Sequence, residues 1–233
     1  MITIKDLSFR YHKIDVLKQI SLNFERGKIY GLLGENGVGK TTLLKVISGL
    51  QPPYSGTCEV DGMESFARHP QMLQNICFLP DAQIPTTGKT PLQHIRSLAP
   101  FYPNYNESRF HELMQRLNVD ADTKFRSMSL GMQKKSMIAV SLALGTDYLL
   151  LDEPTNGLDI PSKSELRRIL AESIDENKTI LISTHQGKDV ENLLDTIIIL
   201  TEREVLLNCD TDVICRKLCF QYSDCQEPQA LYS

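Results

Sequence analysis

At 233 residues the chain can hold one large α/β domain with a full core, or a core plus a small subdomain. Its 41% apolar and 23% charged residues are the make-up of a folded globular protein, and a net charge of −4 with a pI near 5.8 excludes a basic nucleic-acid footprint. No apolar run reaches the roughly 18 residues of a membrane-spanning helix, and Met1-Ile2-Thr3-Ile4-Lys5 lacks the regions of a secretion signal, so a cytosolic chain with reduced thiols is expected.

Short alternating pieces open the chain. Ile2-Thr3-Ile4, Leu7-Ser8-Phe9 and Ser21-Leu22-Asn23-Phe24 have the period-two patterning of strands, and Glu25-Arg26-Gly27 reads as a turn. Tyr11 falls in the polar segment Tyr11-His12-Lys13-Ile14-Asp15. Its ring is suited either to stacking on a base or to an ordinary half-buried surface position.

Ile29-Tyr30-Gly31-Leu32-Leu33 reads as a short buried strand, followed by Gly34-Glu35-Asn36-Gly37-Val38-Gly39-Lys40-Thr41-Thr42. The latter fits the phosphate-loop pattern G-x-x-x-x-G-K-[ST] on Gly34, Gly39, Lys40 and Thr41. Leu43-Leu44-Lys45-Val46-Ile47 continues as an amphipathic helix ending near Gly49. A strand, a glycine-rich turn and a helix N-terminus form an anion site, because successive backbone N–H groups converge and the helix dipole adds partial positive charge. Lys40 then serves the β- and γ-phosphates, and the Thr41 hydroxyl is suited to Mg²⁺.

Beyond Gln51-Pro52-Pro53, residues 55–62 read as a strand closed by an Asp-Gly turn, and Ile76-Cys77-Phe78-Leu79 as a buried strand stopped by Pro80. From Ala82 to Arg126 the character changes: Pro85, Pro91, Pro100 and Pro103 punctuate short helical pieces at 92–98 and 107–117, with no strand-like run. This reads as a small helical subdomain inserted in the α/β core. Phe101-Tyr102-Pro103-Asn104-Tyr105 is either a packed interhelical loop or a contact with a membrane partner.

Ser129, a good N-cap residue, opens a long helix reaching about Leu144. Tyr148-Leu149-Leu150-Leu151 is an apolar strand ending in Asp152-Glu153, where α/β folds place catalytic groups. Asp152 suits Mg²⁺ and Glu153 suits activation of a water. A helix at 162–174 precedes the buried strand Thr179-Ile180-Leu181-Ile182-Ser183, and His185 follows at its tip. Strands at 196–200 and 204–208 and a helix at 212–218 close the folded part. Of the six cysteines (Cys58, Cys77, Cys209, Cys215, Cys219 and Cys225), none form a C-x-x-C pair, so they read as small hydrophobes and not as a metal site.

Together these pieces resemble the ATP-binding subunit of an ABC transporter over about residues 1–218. The resemblance makes Tyr11 the adenine-stacking aromatic, residues 34–42 the Walker A loop, Leu149-Leu150-Leu151-Asp152-Glu153 Walker B with its catalytic Glu, Asn156-Gly157-Leu158-Asp159 the D-loop and His185 the switch histidine. The chain departs from the family twice. Met128-Ser129-Leu130-Gly131-Met132 stands for the signature Leu-Ser-Gly-Gly-Gln, keeping Ser129 and Gly131, which the resemblance sets on the γ-phosphate held by the opposite subunit. Asp81 stands where the Q-loop Gln is found, with Gln83 as the alternative. Both departures resemble exporters of the drug or antimicrobial-peptide kind.

The resemblance implies a P-loop NTPase core with a mainly parallel sheet and an N-terminal antiparallel β subdomain, at 1–81 and 136–218. It also implies a helical subdomain at 82–135 ending in the signature loop, and a C-terminal tail at 219–233. It further implies ATP and Mg²⁺, the latter on Thr41, Asp152 and Asp81, with Glu153, His185 and Lys40 catalytic. Two such subunits, identical or related, are expected to close head to tail over two ATP. They would drive an integral membrane permease from the cytoplasmic face of the inner membrane, with no nucleic-acid partner. The rival reading, a soluble ATPase of the same family acting on the ribosome or DNA, is disfavoured by the acidic charge and by a single ATPase unit in the chain.

Overall fold

The structure is a computed structural model that describes residues 1–81, 88–190 and 192–217. Gln83, Cys219, Cys225 and the tail at 219–233 lie outside the described residues.

The first two strands, β1 (Ile2–Tyr11) and β2 (Ile14–Phe24), form one long antiparallel hairpin. Their apolar residues change phase: Ile2 and Ile4 face the core, then Leu7 and Phe9 do, one residue out of step. The backbone absorbs the slip with irregular pairing between Ile4 and Leu7, where Asp6 adopts a φ of 48°. That phase change is why the sequence read as separate pieces. After β3 (Ile29–Leu33) and α1 (Lys40–Ile47), β4 (Ser55–Val60) joins the other edge of β1. Asp61 and Gly62, with φ of 50° and 76°, then turn the chain into the two-residue β5 (Met63–Glu64). The resulting antiparallel sheet has the order β2-β1-β4-β5.

The second sheet is built from β3, β6 (Ile76–Leu79, after the short helix α2 at Pro70–Leu73), β7 (Tyr148–Asp152), β8 (Thr179–Thr184), β9 (Thr196–Leu200) and β10 (Val205–Asp210). Its order is β10-β9-β3-β8-β7-β6, parallel throughout except for β10. Parallel strands are covered on both faces, so they read as unbroken apolar runs. Alternate side chains accordingly enter two different cores. Tyr148, Leu150, Leu181 and Ile198 pack with α1 and the antiparallel sheet, whereas Leu149, Leu151, Ile180 and Ile182 pack with the helices of the opposite side. Each fully buried Leu or Ile contributes about 1.5–3 kcal/mol.

Those opposite helices are α3 (Pro91–Leu98), α4 (Glu107–Arg116), α5 (Leu130–Ala143) and α6 (Ile160–Ser173). Each start is locally encoded. Thr90 and Gln93 form a reciprocal capping box on α3, and the side chains of Asn106, Ser129 and Asp159 cap α4, α5 and α6. Phe110, Leu113 and Met114 of α4 share a core with Ile138 and Leu142 of α5. Position 135, where the sequence suggested a subdomain boundary, lies inside the uninterrupted α5. Of the aromatic loop, Tyr102 and Tyr105 pack on this core while Phe101 is 70% exposed. A last helix, α7 (Thr211–Lys217), ends the described chain, and none of the described helices is long and apolar enough to cross a membrane.

Cys58 and Cys77 are buried, and burial pushes both thiols up to about 11. Among the described residues no group of three or more His, Cys, Asp or Glu is arranged to hold a metal.

Candidate active site

The tips of β3, β7 and β8 are neighbours: Leu33 pairs with Thr184 and Asp152 with Ser183. The loop after β3, the Asp152-Glu153 pair and His185 therefore meet at one sheet end, the usual ligand end of a parallel sheet. The loop depends on glycine where it passes its neighbours. A Cβ on Gly34 would lie 2.4 Å from the Leu200 carbonyl oxygen. Gly39, at a φ of 109°, would place one 2.7 Å from Leu17 Cδ2.

Lys40, the first residue of α1, is only 6% exposed. Its ammonium donates to the Gly34 and Glu35 carbonyls at 2.7 and 2.9 Å and lies 3.8 Å from Glu153 Oε1. Burial holds its pKa below the ordinary lysine value, partly opposed by the nearby Glu153 and Asp152. Thr41 Oγ1 donates to Asp152 Oδ2 at 2.7 Å, and Ser183 Oγ donates to the other oxygen of the same carboxylate. A hydroxyl beside a carboxylate is the hard-oxygen chemistry that Mg²⁺ prefers.

Glu153 is 7% exposed and has a φ of 46°, a left-handed backbone rare for a residue with a side chain. Its N–H donates to the Ser183 carbonyl at 3.0 Å. Its Oε1 is 3.0 Å from His185 Nδ1, and the His185 Nε2 is 3.0 Å from Gln186 Nε2. One tautomer satisfies both contacts, with Nδ1–H donating to Glu153 and Nε2 accepting from the Gln186 amide. Glu153 Oε2 is buried with no partner among the described residues, although Lys40 and His185 lie beside the same carboxylate.

Asp81, just beyond β6, lines a cavity of about 630 Å³ with Thr41, Asp152, Lys45, Leu50 and Phe78. Its carboxylate is already engaged: Lys134 Nζ donates to Oδ1 at 2.6 Å and Asn156 Nδ2 to Oδ2 at 3.2 Å. Tyr11 is 41% exposed; its ring meets Phe9 edge-on and its hydroxyl donates to Gln51 Oε1 at 2.9 Å. Of the remaining loop residues, Glu35, Asn36 and Gly37 are exposed, Val38 leans on the core, and Thr42 is buried.

Ser129 and Gly131 are not joined to this cluster by any hydrogen bond among the described residues. Ser129 Oγ accepts from the Met132 N–H at 3.2 Å, and Gly131 lies against Gly157, where a Cβ would come within 3.2 Å of the carbonyl oxygen. Asp159 caps α6 by accepting from the Ser162 N–H at 2.8 Å. The Ser162 hydroxyl first, and this backbone bond second, hold its carboxyl below the usual carboxylate range. Leu130 and Ile160 beside them are 68% and 83% exposed.

Three participants were missed in the sequence. Ser183 is a lone hydroxyl at the end of an apolar strand, which is a usable signal. Asn156 was read only as part of a motif. Lys134 sits in the basic pair Lys134-Lys135, which reads as a solvated helix face.

Comparison with known proteins agrees with this geometry. The profile of the ABC transporter family matches residues 17–156. The ABC transporter ATP-binding protein YtrB of Bacillus subtilis is 35% identical over 214 residues, covering 91% of this chain and 73% of that protein. The lantibiotic transport ATP-binding protein SrtF of Streptococcus pyogenes is 31% identical, covering 91% and 92%. A solved ATP-binding subunit of an ABC transporter superposes with a TM-score of 0.83 at 26% identity, covering 93% of this chain and 92% of its own. The chain belongs to the ABC transporter family, as an ATP-binding, ATP-hydrolysing subunit.

Proposed function

We propose that Glu153 polarises the water that attacks the γ-phosphorus of ATP. The unpartnered Oε2 of Glu153, buried beside Lys40 and His185, carries this reading. A buried acceptor without a donor is costly, so it is retained where a reacting molecule supplies the donor. In the proposed step the water oxygen forms a bond to phosphorus as the bond to the β,γ-bridging oxygen breaks. Glu153 takes up the water's proton, and ADP leaves with the bridging oxygen's electron pair.

The other residues hold and neutralise. Lys40 exchanges its two loop carbonyls for phosphate oxygens, and the N–H groups of residues 34–42 cradle the same oxygens. Thr41 and Asp152 would hold Mg²⁺, with Asp81 as a further oxygen ligand at the mouth of the same cavity. When bound, Mg²⁺ supplies charge neutralisation at the β- and γ-phosphates. His185 contacts the γ-phosphate and keeps Glu153 oriented. Tyr11 stacks on adenine.

Ser129 and Gly131 act in trans, on the γ-phosphate held by a second subunit stacked head to tail, and Asp159 lies at the junction. The exposed placement of Ser129 and Asp159 beside Leu130 and Ile160 supports this arrangement. A separate membrane permease takes up the motion at the cytoplasmic face of the membrane. The likeness to SrtF, a lantibiotic transport ATP-binding protein, supports an exporter of antimicrobial-peptide-like cargo.

The test is Glu153→Gln, which keeps the side chain's size and removes its charge. ATP affinity by calorimetry stays near the parent value, turnover falls by about 10²-fold or more, and light scattering shows a dimer with ATP but not with ADP. Turnover at the parent rate would remove Glu153 from the chemistry.

A further inference from the structure

We infer that Asp81 and Lys134 form a latch that positions Glu153 through its backbone. Lys134 Nζ donates both to Asp81 Oδ1, at 2.6 Å, and to the Glu153 carbonyl, at 2.5 Å. The second contact matters because of where it falls. Glu153 carries a left-handed φ of 46°, which a residue with a Cβ occupies only when its surroundings impose it. Here both ends of the residue are held: the N–H by the Ser183 carbonyl on β8 and the C=O by Lys134 on α5. The side chain, with its orphaned Oε2, is aimed by that backbone conformation.

Asp81 keeps Lys134 in place. The lysine side chain is 15% exposed, so an ammonium there without a counter-charge is unfavourable, and Asp81 is its ion-pair partner. The second Asp81 oxygen accepts from Asn156, three residues beyond Glu153. One carboxylate at the end of β6 thus ties the first turns of α5 to both sides of the Glu153 turn. The same α5 begins at Ser129. A shift of α5 relative to β6 would break the Lys134–Asp81 contact and release the Glu153 carbonyl together. The latch therefore converts the position of the signature helix into the orientation of the catalytic carboxylate. Lys134 and Asp81 are positioning residues in this scheme, which rests on Glu153 as the group that polarises water.

Four variants test it: Lys134→Met, Lys134→Arg, Asp81→Asn, and Lys134→Met combined with Asp81→Asn. The latch predicts that Lys134→Met lowers kcat about tenfold or more, since small misplacements of a catalytic group are costly, while KM for ATP changes less than about twofold. Arg can serve both acceptors with its fork, so Lys134→Arg recovers most of kcat. Asp81→Asn in the Lys134→Met background adds little, because the two act as one unit. Hydrogen exchange in EDTA gives a second readout without metal or turnover: amides of residues 153–158 lose protection in Lys134→Met and in Asp81→Asn. Additive effects, or an Asp81→Asn phenotype seen only with Mg²⁺ and unchanged by Lys134→Met, would overturn the latch and leave Asp81 with the Mg²⁺ role alone. A collapse of turnover in Glu153→Gln alongside parent kcat in Lys134→Met would sink the latch alone. Parent turnover in Glu153→Gln would sink the underlying reading of Glu153.

Discussion

Lys40, Asp152 and Glu153 are 6, 3 and 7% exposed and bonded to their neighbours, whereas Ser129 stands on an open face where Leu130 is 68% exposed. Both regions are proposed to serve the same γ-phosphate, and they are built oppositely. The strand tips hold opposed charges out of water, which is tolerable only if each charge is paired or hydrogen-bonded. The sheet provides that by fixing three adjacent strand ends at one register. The start of α5 carries no charge in its first turn: beside the Ser129 hydroxyl and backbone N–H groups it has the apolar Leu130 and Met132 and the buried Gln133 amide, so exposing its outer face to water costs little. The difference teaches that folding assembles the charged half, while the neutral half is left on the surface, as the proposed completion by association requires.

The sharpest way to break this comparison is to take away the support of each half in turn. Leu151→Ala, behind Asp152 on β7, should cost about 2–5 kcal/mol of unfolding free energy, as for other fully buried leucines. Leu130→Ala, at the exposed face, should stay within about 0.5 kcal/mol. Urea denaturation of both reads the contrast, and equal losses would show that the α5 start is as much a part of the folded core as the strand tips.

Lys40→Ala should come next in size. Loss of a charge-assisted contact costs about 1.5–3 kcal/mol, or roughly 10–100-fold in ATP affinity. The fold should survive, because the ammonium faces loop carbonyls and not the apolar core. Calorimetry with circular dichroism separates the two effects, and unchanged affinity would mean that the buried ammonium serves the loop alone.

A smaller loss than at Leu151 or Lys40 should fall on the joint between α4 and α6. Arg116 spans it, bonded to Glu165 at 2.7 Å and to Glu172, and these partners, Glu172 first, hold its guanidinium pKa above the ordinary value. The group is partly solvated, so Arg116→Met should cost no more than about 1 kcal/mol. Hydrogen exchange should quicken in α4 and not in β7; quickening in both would show that the helices and the strand tips open as one unit.

Much of the charged half was legible in the sequence, because its chemistry is condensed into contiguous stretches. The loop at 34–42 carries its own glycines, and Asp152-Glu153 and His185 each end an apolar run. The strands at 148–152 and 179–184 were legible for the same reason. What could not be read depends on distant residues. Lys134 and Asp81 are 53 positions apart, and nothing local marks either as a partner of the other. The β1–β2 hairpin was seen only in fragments because Asp6 shifts the alternation in mid-strand. Residues 63–75, for which no element is predicted from the sequence, form only short pieces, β5 and α2 among them.

The segment holding α3 and α4 meets the rest of the fold through α5, α6, the loop at Gly145 and the underside of the sheet, and among the described residues it contributes no side chain to the strand tips. This has an evolutionary consequence. Substitutions on its outer surface, including the exposed Phe101, leave the charges around Glu153 untouched. After a gene duplication, one copy can therefore diverge in what that surface binds without relearning how to hydrolyse ATP. Selection on the two properties is separable, residue by residue, along a single chain.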